Sequence, residues 1–185
     1  MKAKEDKQIL SLIKELNHIV QSFDKYSKGK NPSNSTTRIL LGQFESIMKQ
    51  YEKQTDICTL LELRLEFGES LLEIPGCTRF AYSHCFEHIL KDVSANETLK
   101  NRAYFGTCIY EFVECATRDP SIQHTGRDKI LGIIEELMAK VNELQAGQSL
   151  KANHESIYHA TYYIHKLCLL LSSRGWTELV TICNS

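Results

Sequence analysis

Between about Glu5 and Lys28 the apolar residues Ile9, Leu12, Ile13, Leu16, Val20 and Phe23 recur at helical three-and-four spacing, with lysines and acids between them. That period draws one apolar stripe along a helix and predicts an amphipathic first element. The stretch Ser27 to Thr36 then concentrates glycine, proline, asparagine and serine, which predicts the longest loop, and Ser35 or Thr36 can cap the helix that follows. Ile39, Leu40, Phe44, Ile47, Met48 and Tyr51 predict a second helix to about Lys53. Leu60, Leu61, Leu65, Leu71 and Leu72 predict a third from about Thr55, which Pro75 and Gly76 end.

A fourth helix is expected from about Thr78 to Lys91, with Tyr82, Phe86, Ile89, Leu90 and Val93 on its core side. Asn96 can cap a fifth that reaches about Thr117, where Asp119-Pro120 closes it; its apolar residues, Leu99 to Ala116, cover more than one stripe. Asp128 to Leu144 gives the clearest amphipathic pattern. A seventh helix, from an Asn153 cap to Ser173, shows Ile157, Thr161, Ile164, Cys168 and Leu171 on one side and Tyr158, Tyr162, His165 and Leu169 on another, the pattern of a helix held between neighbours. Gly175 makes a turn, and Trp176, Leu179, Val180 and Ile182 begin an eighth. No run alternates with the period of a strand. The expected fold is all-α, with seven to eight helices in antiparallel pairs forming one domain over residues 1–185: an N-terminal pair at 5–53 and further pairs at 55–185.

Composition narrows the function classes. The 22 basic and 23 acidic residues leave a net charge of −1, spread without a basic face, so neither nucleic acid nor an anionic membrane is an expected partner. No apolar stretch approaches the ~18 residues of a membrane span, and the Met1 to Lys7 start predicts no secretory leader. The seven cysteines are odd in number, never spaced C-x-x-C, and mostly set in apolar helical patterns, as free thiols in a reducing, cytoplasmic compartment would be.

The third and fifth helices share a feature. Phe67-Gly68 and Phe105-Gly106 lie 38 residues apart, in Leu65-Glu66-Phe67-Gly68-Glu69-Ser70-Leu71 and Ala103-Tyr104-Phe105-Gly106-Thr107-Cys108-Ile109. Glycine within a helix costs ~1 kcal/mol relative to alanine, so its recurrence predicts a close neighbour at each point. Leu41-Gly42 and Leu131-Gly132 are further mid-helix pairs. Phe67-Gly68, Leu71, the Pro75-Gly76 turn, then Tyr82, Phe86 and Leu90 resemble the helix-turn-helix grammar of tetratricopeptide repeats, and Tyr162 to Val180 with Gly175 at the turn looks similar. The resemblance covers at most residues 55–185 and departs from the family's 34-residue spacing. It implies a tetratricopeptide-like α-solenoid, with an irregular helical bundle as the alternative, and a protein-binding or scaffold role. The irregular pairs also look somewhat like the terminal region of large ciliary scaffold proteins, which implies a cytoskeletal or ciliary association.

One stretch carries a chemical signature. His84-Cys85-Phe86-Glu87-His88 is H-x-x-E-H, the pattern of the inverted zinc peptidases, in which His84 and His88 would hold zinc and Glu87 would act as base. At 100° per residue both imidazoles fall opposite the Phe86 core face, which predicts an outward orientation. Phosphate-cradling, dinucleotide and serine-hydrolase signatures are absent and no cofactor is expected. The expected function is therefore non-catalytic protein binding, through Trp176, Leu179, Val180 and Ile182 and an aromatic groove around Tyr158, Tyr162 and His165. A zinc-dependent hydrolase at residues 84–88 is the alternative.

Overall fold

The computed structural model describes residues 2–27, 34–53, 55–118, 123–146 and 150–173. Among these residues the fold is all-α and contains no strand. The helices are α1 (Lys2–Ser27), α2 (Asn34–Tyr51), α3 (Ile57–Leu72), α4 (78–91), α5 (Glu97–Arg118), α6 (Gln123–Ala146) and α7 (Leu150–Ser173). The expected eighth helix and most of the expected 27–36 loop lie outside the described residues.

Local chemistry accounts for the boundaries. Asp56 is extended and accepts a hydrogen bond from the Thr59 amide at 3.0 Å, which caps α3. The hydroxyl of Thr59 bonds the same carboxylate, and these bonds lower the Asp56 pKa. Gly76 turns the chain after α3 with φ of 79°, a conformation that favours glycine. Asn96 Oδ1 accepts from the Leu99 amide at 2.9 Å and caps α5 as its sequence suggests. α6 begins at Gln123 and α7 at Leu150, ahead of the first apolar stripes. Leu150, Lys151 and Ala152 are good helix formers, so α7 runs back past the expected Asn153 cap.

The chain divides into two compact units, Met1–Ala103 and Tyr104–Ser185. In the first, α1 packs on α2 and α3, and α3 packs on α4. Their apolar faces form one core, including Leu12, Phe23, Phe44, Leu65 and Phe86, which Leu99 at the start of α5 joins. Phe44 and Phe67 stack with centroids 4.1 Å apart, and Phe23 meets Phe80 at 6.3 Å. In the second unit α6 packs on α7, and Phe105 stacks on the fully buried Tyr163 at 5.8 Å. The Tyr104 hydroxyl donates to Glu136 at 2.8 Å.

Gly68 shows why glycine recurs inside a helix. A methyl group placed there would lie 2.7 Å from Cys85 Cβ and 2.9 Å from Phe86 Cε1, so only a hydrogen fits between α3 and α4. Gly106 is also buried. Gly42 and Gly132 are different, because a Cβ at either position would meet nothing within 4 Å.

α4 departs from a regular helix at this contact. Tyr82–Phe86 is a π-turn between the α-helical stretches Thr78–Ala81 and Glu87–Lys91. Its wider turn breaks the 100° wheel, and the adjacent residues Cys85 and Phe86 are both fully buried. Val93, expected in the core, is 95% exposed, since α4 ends at Lys91 and Asp92 is extended.

Candidate functional site

Arg64 and Gly68 stand four residues apart on one face of α3, opposite the π-turn of α4. The glycine lets the two helices meet. One turn earlier on the same face, the arginine Nη1 donates to the His84 carbonyl at 2.6 Å. Nη1 and Nη2 also donate to the two carboxylate oxygens of Glu45 on α2, each at 3.2 Å. The guanidinium lies over the Phe44 ring, 5.0 Å from its centroid. Arg64 is buried and Glu45 half-buried, so the fork-to-carboxylate geometry compensates for the lost hydration of the guanidinium.

His84 completes the cluster. Its Nδ1 lies 3.2 Å from Glu45 Oε1 and its side chain is 32% exposed. The expected outward orientation is thus corrected: the π-turn swings His84 toward α2. Burial raises the Glu45 pKa, but hydrogen bonds from His84 and Arg64 and the Arg64 charge outweigh it, and the pKa falls from the ordinary 4.5 to about 2.

A depressed carboxylate pKa stabilises the fold fully above the unfolded-state value and loses that contribution as pH falls through the folded-state value. The window here runs from 4.5 down to about 2. Because Glu45 is 44% exposed, solvent screening reduces the effect, and Glu45→Gln is expected to cost about 1–3 kcal/mol at pH 7. Urea unfolding of both proteins at several pH values checks this. Their stabilities should converge below pH 4.5, and a gap that stays constant to pH 2.5 would contradict the assignment.

The remaining signature residues do not join His84 into a cage. Glu87 pairs with Lys91 at 2.7 Å, one turn along the same helix. His88 is exposed, although its ring lies near enough to the chain for desolvation, and then the Arg64 charge, to lower its pKa. Among the described residues no three His, Cys, Asp or Glu side chains come together to hold a metal ion. Cys85 between the histidines is a core thiol, and burial pushes its pKa far above the ordinary range. Cys108 behaves likewise, raised by burial to about 12.

A second buried ion pair had no signal in the sequence. Arg102 on α5 donates through Nε and Nη2 to the Glu69 carboxylate on α3, at 3.0 and 2.8 Å. Its partners are 33 residues apart, as Arg64 and Glu45 are 19 apart, and no local spacing announces such pairs.

The aromatic residues expected to bind a partner lie on α7. Its buried side is Ala160, Tyr163 and Leu167, each at most 1% exposed. Tyr158, Tyr162, His165 and Leu169 follow one another at spacings of four, three and four along a different face. Tyr158 is 68% and Leu169 57% exposed, and His165 is also exposed. That face is therefore open to solvent rather than held between neighbours as its apolar content predicts. Tyr162 is half-buried, edge-on to Tyr163 at 5.4 Å, with Lys166 Nζ 5.0 Å from its centroid. Trp176, Leu179, Val180 and Ile182 lie outside the described residues.

No helix among the described residues is long and apolar enough to cross a membrane. Comparison with protein-family models, curated proteins and solved structures finds no match to this chain.

Proposed function

We propose that this chain is a non-catalytic protein-interaction or scaffold module, and that the Tyr158, Tyr162, His165, Leu169 stripe of α7 is a contact surface for a protein partner. The observation that carries the reading is the exposure of Tyr158 and Leu169 at the two ends of a continuous stripe, on a helix anchored by an opposite buried side. A tyrosine presents a large apolar ring with a polar tip and loses little conformational freedom on binding, which favours it at interfaces. Tyr162, braced by Tyr163 and Lys166, supplies an ordered centre between those ends. A tetratricopeptide-like role as a binding scaffold fits this reading; the proposed cytoplasmic setting rests on the free-thiol cysteine pattern, and the cytoskeletal or ciliary one on the sequence resemblance.

The test is a Tyr158→Glu, Leu169→Glu variant of the full chain. Both positions face water, so helicity and thermal stability should match the parent. Association with partners recovered from cells by the parent chain should weaken about tenfold or more, as placing two charges on an apolar contact surface does. A folded variant that recovers the same partners equally well would refute the proposed surface.

A further inference from the structure

We infer that residues 174–185 of this chain fold back over the α7 stripe from Leu169 to Tyr162 and compete there with the protein partner. This rests on the reading of the stripe as a contact surface and adds a regulation of it. Residues 174–185 lie outside the described residues, and three features bring their sequence to this face. First, α7 ends at Ser173, so the segment begins one turn, or about 6 Å along the axis, past Leu169. Second, Gly175 stands two residues beyond the last helical residue, where glycine commonly lets a helix stop and the chain reverse. A connection of two residues suffices to join antiparallel helices. Third, Trp176, Leu179, Val180 and Cys183 fall at i, i+3, i+4 and i+7, one apolar stripe with Glu178 on the far side.

The two stripes match in length. Trp176 to Cys183 is a step of seven residues, as Tyr162 to Leu169 is, and each rises about 10 Å in a helix. Turned at Gly175, the segment sets Trp176 beside Leu169 and Cys183 beside Tyr162. Closing removes apolar surface of both stripes from water, including Leu169, which is 57% exposed in the open form. It also supplies the tertiary packing that so short a helix needs. Tyr158, 68% exposed, lies beyond the reach of the segment and stays available as a foothold. A partner that needs the whole stripe binds only the open fraction of chains, and its apparent affinity falls by that fraction.

Trp176 is the single tryptophan of the chain, so acrylamide quenching of its fluorescence in the purified full chain reports the segment alone and needs no partner. Leu169→Glu should raise the quenching constant about threefold, toward that of a free peptide of residues 174–185, by shifting the population to the open form. Tyr158→Glu should leave it unchanged. Both positions face water, so both variants should keep the helicity of the parent. The inference is overturned if Leu169→Glu leaves quenching at the parent's level, whether Trp176 is exposed in both chains or protected in both. Protection that fades on dilution would also overturn it, by assigning the contact to a second copy of this chain. The partner reading fails separately: a Leu169→Glu chain that loses its partners with quenching unchanged overturns the fold-back and keeps the contact surface.

Discussion

Gly68→Ala is expected to destabilise the protein by about 1–3 kcal/mol, even though alanine is the better helix former by ~1 kcal/mol. The added methyl would enter 2.7 Å from Cys85 Cβ and 2.9 Å from Phe86 Cε1, and both of those residues are fully buried. Neither neighbour has open space to retreat into, so α3 and α4 must separate or Phe86 must leave its rotamer. Gly68→Leu should cost more than Gly68→Ala. Urea unfolding monitored by circular dichroism measures both. Phe86→Leu alone should also destabilise, by leaving a cavity, yet in combination with Gly68→Ala the two costs should sum to less than their separate values. Additive costs would show that the steric contact does not limit packing there.

Arg64→Met is expected to cost about 2–3 kcal/mol, below the ~3–5 kcal/mol of a fully buried pair, because the Glu45 carboxylate left behind is 44% exposed and screened by solvent. The loss is threefold: the fork on Glu45, the bond to the His84 carbonyl, and the stack over Phe44. Arg64→Lys retains the charge but cannot bond Glu45 and His84 with one rigid plane, and should recover only part of the stability. Arg64→Met combined with Glu45→Leu should be less destabilising than Arg64→Met alone, because no half-buried charge is then left without its partner. Denaturant midpoints of the parent, the two Arg64 variants, Glu45→Leu alone and the double variant distinguish these outcomes. A double variant as unstable as the sum of its parts would indicate that the cluster acts through shape rather than charge.

The sequence makes the helices legible because burial in this protein follows period: Leu12, Leu16 and Phe23 on α1 and Phe44, Met48 and Tyr51 on α2 are buried as their spacing predicts. Gly68 follows its sequence expectation of a close neighbour, whereas Gly42 and Gly132, also within helices, have none. The period fails where the backbone departs from it. A π-turn has no composition signal in Tyr82-Ser83-His84-Cys85-Phe86, and once it intervenes, a regular wheel puts His84 on the wrong side of α4; Val93 misses the core for a different reason, because the helix ends at Lys91 before reaching it. The Glu45, Arg64 and His84 cluster is hidden more deeply, because its members come from three helices and meet only through the packing that Gly68 permits. The H-x-x-E-H signature overlaps the turn of the chain that meets α3. What the turn contains is an arginine-centred joint between helices, with Glu87 paired to Lys91 rather than convergent with both histidines.

The claim that the exposed stripe of α7 meets a protein partner is tested most directly by photo-crosslinking from within that stripe. Benzoylphenylalanine replaces Tyr158 with another aromatic group, and the same residue at Asn142, an exposed position on α6, serves as the control. In cells, the probe at position 158 should give a discrete protein adduct that Leu169→Glu removes and the Asn142 probe does not produce. Adducts of the same size and yield from both positions, or none from position 158, would contradict it.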